Sequence, residues 1–149
     1  MGIHITILLL LSLFNFSWSQ VDGNYLSLSD NNNGSWNVNY STEAAIGGFQ
    51  FNVDGATVNG ASGGDAGASG FMMSTNSSMA LGFSLTGSTI PAGCGTLVEL
   101  NLTGDATGLS GIVISDASGN PMPFNSNLEF VEDCSDEYPY CAANVIDCE

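Results

Sequence analysis

Basic side chains are what this sequence lacks most completely. It contains no Lys or Arg, 15 Asp and Glu residues and one histidine, His4, so its formal net charge is −15 at pH 7. Nucleic acids and anionic lipid surfaces are poor partners for such a chain, because binding to them depends on cationic side chains. Cations and basic partners suit it better. Salt should relieve the self-repulsion of its acids, which fits a saline or calcium-containing exterior.

The shortage of bases also excludes most kinds of catalysis. His4 lies in a segment that we expect to be removed on export, which leaves no imidazole, ammonium or guanidinium side chain. A Ser or Cys nucleophile would have no His or Lys base, and phosphoryl transfer would have no cationic clamp. A carboxylate-only glycosidase is the remaining catalytic hypothesis, with Glu99 and Glu129 as candidates. Solvated surface acids are the favoured interpretation of both, and the sequence predicts a protein that is not an enzyme.

Long apolar runs are confined to the N-terminus. Residues 1–19, MGIHITILLLLSLFNFSWS, are typical of a signal peptide, and we predict cleavage after Ser19, with an uncleaved anchor as the alternative. No later run approaches the ~20 apolar residues that cross a bilayer. We therefore expect a secreted chain, extracellular or at the cell surface, without membrane insertion after cleavage. Residues 20–131 are predicted to form one domain, and residues 132–149 an acidic, cysteine-rich tail.

Cysteines are few but even in number. They are Cys94, Cys134, Cys141 and Cys148. In an exported chain this number indicates disulfides. Three connectivities are possible, and we favour Cys94 with Cys134 and Cys141 with Cys148. A zinc site is the alternative, but the three later cysteines lack the short pair spacing of zinc knuckles.

Helical periodicity is nearly absent after the leader, whereas alternation of apolar and polar residues recurs in short pieces separated by Gly, Asn, Asp and Ser. This pattern predicts nine strands, at residues 24–29, 35–40, 46–53, 56–61, 71–74, 79–86, 96–102, 109–115 and 127–131. The glycine-rich stretch 62–70 is predicted to be a flexible loop. Strands at this spacing predict an all-β fold, an antiparallel β-sandwich or jelly roll of about nine strands.

Two strands give the clearest indication of which side faces the core. In IGGFQFNVDG, at residues 46–55, apolar side chains alternate with Gln50 and Asn52, which predicts a Phe-rich inner face and a neutral, hydrogen-bonding outer face. Trp36 and Tyr40 share one face of their strand, and core packing is favoured over a sugar-stacking platform for both.

Three segments resemble, in order, the cohesin family of bacterial scaffold proteins: IGGFQFNVDGATVNGAS, LGFSLTGSTIPAGCGTLVELNL and LSGIVISDASGNPMPF. The resemblance spans about residues 24–131. It implies a nine-stranded jelly roll, similar to that of several carbohydrate-binding modules. It also implies an extracellular binding role, since cohesins hold dockerin modules through one exposed sheet face, mostly by hydrogen bonds and apolar contacts. No family contact residue is marked by a motif.

This resemblance favours a secreted, non-catalytic module that binds an extracellular protein, dockerin-like, or a polysaccharide. The alternative is a structural subunit that self-associates into an extracellular layer or fibre. Abundant Gly, Asn, Ser and Thr residues are compatible with that alternative.

Calcium is the cofactor that the sequence leaves open. Asp116, Ser118 and Asn120 have the alternate-residue spacing that begins a calcium loop, but Pro121 stands where an EF-hand has glycine. We favour a turn-stabilising role for these residues, with a loop calcium site as the alternative. Asn33, Asn39, Asn76 and Asn101 each begin an Asn-x-Ser/Thr sequence, and they are glycosylation acceptors only if the source cell is eukaryotic.

Overall fold

A computed structural model describes residues 23–126, which form ten strands and one short helix. The elements are β1 (Asn24–Asp30), β2 (Ser35–Thr42), β3 (Ile46–Asp54), β4 (Thr57–Ser62), α1 (Gly64–Ala68), β5 (Met72–Thr75), β6 (Met79–Phe83), β7 (Gly93–Thr103), β8 (Gly108–Asp116), β9 (Pro121–Met122) and β10 (Phe124–Ser126). Eight of the nine predicted strands are confirmed with small shifts at their ends. The ninth, at 127–131, lies outside the described residues, as do the predicted leader and tail.

The strands form two five-stranded sheets. The first sheet has the order β10-β1-β2-β7-β4, and the second has the order β5-β6-β3-β8-β9. Neighbouring strands run antiparallel, except that β1 and β10 are parallel. The predicted all-β sandwich is therefore confirmed for the described part of the chain. Within residues 23–126 no helix has the length and apolar character needed to span a bilayer.

The core between the sheets is built around phenylalanine. The ring centroids of Phe49 and Phe51 lie 5.9 Å apart, and those of Phe49 and Phe71 lie 6.2 Å apart, both pairs nearly parallel. Tyr40 is buried in the hydrophobic core, and Trp36 is half-buried and packs against that core. The predicted core role of Trp36 and Tyr40 is confirmed.

Strand β6 turns its small residues inward. Ala80 pairs with Phe51 and Gly82 pairs with Phe49 in the β3–β6 ladder, so both small residues face the core beneath large rings. A Cβ atom on Gly82 would stand 2.2 Å from the Phe49 ring. Because successive side chains of a strand point to opposite faces, the larger residues of β6 must point outward.

The prediction of a flexible loop at 62–70 is wrong for the segment Gly64–Ala68, which forms a short helix. This helix is α1, whose Ala66 is fully buried. Gly64 allows α1 to lie close against β7, since a Cβ there would stand 2.5 Å from the carbonyl oxygen of Leu97. A five-residue segment has too little helical periodicity to be recognised from sequence, and tertiary contact stabilises it instead. Strands β9 and β10 were not predicted because two or three residues show no alternation.

Candidate functional site

The outer face of the second sheet is apolar at its centre. On β6, Leu81 pairs with Gln50 of β3, and on the other side Gln50 pairs with Val113 of β8. Phe83 pairs with Met72 of the edge strand β5. Met72 is 51% exposed and Val113 is 56% exposed, although both are large apolar side chains. We call this surface the apolar docking face, and its members are Met72, Met79, Leu81, Phe83 and Val113.

Charged groups border the apolar docking face but do not enter it. Asp54 and Asp116 stand at the ends of β3 and β8, and Asp54 accepts a hydrogen bond of 2.9 Å from Ser110 Oγ. Gln50 and Asn52 point outward, as the alternation of β3 predicts. The second sheet therefore presents apolar side chains around neutral amides, with carboxylates at its rim.

The sequence pattern predicted the outward amides of this face but not its exposed apolar residues. One signal of those residues was the pattern of β6, in which large apolar residues alternate with the small residues Ala80 and Gly82. The continuous apolar run of 112–114 in β8 was a second signal, because a strand with one solvated face should alternate. Both patterns show that a large side chain is left for the outer face.

The outer face of the first sheet is polar and mostly neutral. Asn39 Nδ2 donates to Ser29 Oγ at 3.1 Å, and Thr96 Oγ1 donates to Asn39 Oδ1 at 3.0 Å, which links β1, β2 and β7. Asn59 Nδ2 donates to Asn101 Oδ1 at 3.0 Å, which links β4 to β7. These contacts hold the amide and hydroxyl groups in fixed positions across four strands.

A shallow, open trough lies on this polar face between β7 and the edge strand β4. Its volume is about 360 Å³. Its lining residues are Ser35, Gly60, Ala61, Ser62, Glu99, Leu100 and Asn101. Glu99 is exposed in it, and its carboxylate makes no hydrogen bond within residues 23–126. We call it the Glu99 trough. Glu129 lies outside the described residues, so the alternative hypothesis of a catalytic carboxylate pair is untested, and exposed Glu99 is compatible with the favoured interpretation of a solvated surface acid.

The turn after β8 is organised by one carboxylate. Asp116 Oδ1 accepts hydrogen bonds from the backbone N–H of Ser118 at 2.8 Å and of Asn120 at 2.9 Å, and Oδ2 accepts one from Asn120 Nδ2 at 3.0 Å. The Asn120 side chain, followed by its backbone N–H, lowers the pKa of Asp116 below its usual value. These contacts are those of the turn-stabilising role, and calcium binding there stays a prediction. Residues 23–126 contain no cluster of three or more His, Cys, Asp or Glu placed to hold a metal.

A buried phenol anchors α1 to the first sheet. Tyr40 Oη donates to Asp65 Oδ2 at 2.9 Å. Burial, and then the Asp65 carboxylate, raise the pKa of Tyr40 well above its usual range. Gly95 leaves room for this pair, because a Cβ there would lie 2.5 Å from Asp65 Oδ2. The contact is partly buried and joins α1 to β2, so it supports the fold rather than forming an exposed binding surface.

The predicted disulfides extend beyond the described part of the chain. Cys94 lies half-buried on β7, opposite Ser41 of β2. Cys134, Cys141 and Cys148 lie outside residues 23–126, so the pairing stays a prediction.

The four Asn-x-Ser/Thr sites differ in accessibility. Asn33 and Asn76 are exposed in turns, and Asn101 is exposed on β7. Asn39 is half-buried, and its side chain is hydrogen-bonded to Ser29 and Thr96. Glycosylation at all four stays a prediction.

Comparison with known proteins gives likeness at the level of structure. No protein-family model and no curated protein sequence matches the chain. A non-cellulosomal cohesin from the hyperthermophilic archaeon Archaeoglobus fulgidus is 14% identical, with a TM-score of 0.51, over 70% of this chain and 86% of that one. The sixth cohesin of scaffoldin B from Acetivibrio cellulolyticus, solved with a mutant Cel5 dockerin, is 20% identical, with a TM-score of 0.47, over 72% of this chain and 99% of that one. The described chain has a cohesin-like fold.

Proposed function

We propose that this chain is a secreted, non-catalytic binding module that holds a protein partner against the apolar docking face. The observation that supports this most directly is the exposure of Met72 and Val113 at an uncharged sheet surface. Contiguous apolar patches rimmed by polar residues are typical of interaction sites, and single scattered apolar residues are not. Here the apolar side chains are neighbours through strand pairing.

The composition of the face favours a folded protein as the occupant. Protein interfaces are depleted of charge at their centre and enriched in Met and aromatic residues, which describes the positions of Met72, Met79 and Phe83. Gln50, at the centre, supplies a hydrogen-bonding group that fixes the register of a partner. Because the chain carries 15 acids and no Lys or Arg, a partner with Lys or Arg around an apolar centre would meet the rim acids favourably.

Substitution of Val113 by Asp tests this proposal. The Val113 side chain is more than half exposed, so the substitution should leave the fold intact but place a charge within the contact area. Dockerin modules are the first probe, since one structural neighbour was solved with a dockerin. We expect a binding dockerin to lose affinity by about tenfold or more when Val113 or Met72 becomes Asp, because a central contact contributes about 2 kcal/mol or more. Biolayer interferometry measures the loss, and circular dichroism confirms folding.

Thr57→Asp is the matched control, because Thr57 is exposed on β4 of the opposite sheet. It introduces the same charge and should leave protein binding unchanged. If no dockerin binds, proteins from the source culture medium replace the dockerins as probes for the same variants. The proposal is wrong if a specific partner binds Val113→Asp and Met72→Asp as tightly as the unmodified chain, or if neither probe set contains a partner.

We propose that the protein performs this function outside the cell. Removal of residues 1–19 and disulfides between Cys94 and Cys134 and between Cys141 and Cys148 would suit that location. Mass spectrometry of the secreted chain gives both its first residue and its disulfides, after digestion at acidic or aromatic residues because trypsin has no site. A Cys94 to Cys141 link would contradict the pairing.

A further inference from the structure

We propose that the Glu99 trough is a binding site for a neutral polysaccharide chain. The site lies on the first sheet, opposite the apolar docking face, and it goes beyond the protein docking proposed above. It is defined by an exposed carboxylate that accepts no hydrogen bond from residues 23–126, by two amide groups beside it, and by small residues on the neighbouring edge strand.

Within residues 23–126 the Glu99 carboxylate accepts no hydrogen bond, as is also true of the exposed acids Glu43 and Asp105. Glu99 differs from those two in lying within a strand rather than in a turn. Carboxylates that do accept hydrogen bonds within residues 23–126 are those of Asp30, Asp54, Asp65 and Asp116. Glu99 occupies the middle of β7, on a face that also carries Asn37, Asn39 and Thr96. Its Cδ atom lies 3.6 Å from the position that a Cβ on Gly63 would take. A carboxylate placed this way offers its two oxygens to a ligand rather than to the fold.

Two amide side chains flank this carboxylate. Asn37 is its cross-strand partner on β2, and Asn101 lies two residues further along β7 on the same face. The Oδ1 of Asn37 accepts a hydrogen bond from Asn31 Nδ2, and the Oδ1 of Asn101 accepts one from Asn59 Nδ2, each at 3.0 Å. In the described part of the chain the Nδ2 groups of Asn37 and Asn101 have no acceptor. Two amide donors, Asn37 Nδ2 and Asn101 Nδ2, therefore flank the Glu99 carboxylate, which is an acceptor.

This arrangement matches the chemistry of sugar hydroxyl groups. A hydroxyl both donates and accepts, so neighbouring hydroxyls of a sugar ring can donate to Glu99 and accept from the amides. A guanidinium or ammonium group only donates, and it would leave both amides without acceptors. An anionic glycan would be repelled by a chain of net charge −15. A neutral glycan satisfies all three groups.

The neighbouring strand leaves space for such a ligand. Gly60 and Ala61 of β4 line the trough with minimal side chains. A Cβ atom on Gly60 would meet nothing within 4 Å. The volume of about 360 Å³ lies within the range of small-molecule sites. The trough is open, as a site for part of a longer chain requires.

Titration calorimetry of the full chain with soluble oligosaccharides tests the proposal. The probes are neutral gluco-, manno-, galacto- and xylo-oligosaccharides, with oligogalacturonate as the anionic comparator and an oligo-arginine peptide as the cationic one. We expect at least one neutral oligosaccharide to bind, with little change in affinity between low and physiological salt because the ligand is uncharged. Glu99→Gln should weaken this binding about tenfold, since it removes hydrogen bonds to a charged acceptor.

Gly60→Val is the second variant. Its backbone does not need glycine, and valine suits a strand, so the variant should fold while its side chain fills the trough. It should also weaken binding about tenfold. Glu43→Gln, the same charge change at an exposed glutamate outside the trough, should leave binding unchanged.

Three results would overturn the proposal: no neutral oligosaccharide binds, binding survives both trough variants unchanged, or only the cationic peptide binds. Val113→Asp separates the two proposals, since it should weaken protein docking by about tenfold or more and leave sugar binding unchanged.

Discussion

Gly82 has no side chain on the inner face of β6, and this determines which residues of the strand face outward. The Phe49 ring of the neighbouring strand β3 occupies the space where a Cβ of Gly82 would stand, so β3 fills the core on the inner side of β6. The large residues of β6 consequently face outward, where they form part of the apolar docking face. The alternation of large residues with Ala80 and Gly82 is visible in the sequence, but its direction is not, because a strand with large apolar residues at alternate positions normally buries them.

Gly82→Ala should therefore destabilise the fold. Its Cβ would overlap the Phe49 ring, and overpacking of a filled core costs about 1–3 kcal/mol. Gly60→Ala is the control, because a Cβ there meets open space and the substitution should be neutral or stabilising by about 0.4–1 kcal/mol. Urea unfolding followed by tryptophan fluorescence measures both. Equal stability of the two variants would show that β6 has room on its inner side.

Among the elements, strands were predictable and α1 was not. Alternation of apolar and polar residues, with turn residues between the pieces, identified most of β1 to β8, because most of these strands have one buried face. Helix α1 consists of Gly, Asp and Ala, without a helical apolar stripe, and it depends on partners distant in sequence: Tyr40, the Leu97 backbone and Gly95. The Glu99 trough was equally hidden, since it depends on which strands are neighbours in the first sheet.

The hydrogen bond between Tyr40 and Asp65 should contribute to the stability of this element. Tyr40→Phe is expected to lower the free energy of unfolding at neutral pH by about 1.5 kcal/mol, because the acceptor is charged. The raised pKa of Tyr40 means that the folded state keeps the phenol proton when the unfolded state has lost it. The stability contributed this way is present below the ordinary tyrosine pKa of about 10 and is lost as pH rises above it.

Urea unfolding at several pH values checks this behaviour. The unmodified chain should lose stability above about pH 10 more steeply than Tyr40→Phe does. Asp65→Asn is the control, because its carbonyl can still accept the hydrogen bond and should cost less than Tyr40→Phe at neutral pH. Parallel alkaline profiles for the unmodified chain and Tyr40→Phe would contradict the assignment.

On the scale of the whole molecule, the excess of acids means that electrostatic repulsion opposes folding. The described residues contain acids but no Lys, Arg or His, so packing and hydrogen bonds must stabilise a chain whose acids repel one another. The described acids lie at strand ends, in turns or in α1, except Glu99, which lies in the middle of β7. The centre of the second sheet is therefore uncharged. An uncharged apolar face on one sheet, and an amide- and hydroxyl-rich face around Glu99 on the other, allow contact with partners despite a net charge of −15.

Salt should therefore stabilise this protein, and comparison of salts separates screening from calcium binding. Raising NaCl from about 0.01 M to about 0.15 M shortens the Debye length from about 30 Å to about 8 Å, so the melting temperature should rise. At equal ionic strength, CaCl₂ should add a further rise beyond MgCl₂ if the Asp116 turn binds calcium. Asp116→Ala should then remove the calcium-specific part and leave the response to NaCl. A melting temperature independent of NaCl would show that repulsion among the acids does not limit stability, whereas a calcium effect that survives Asp116→Ala would place that ion elsewhere.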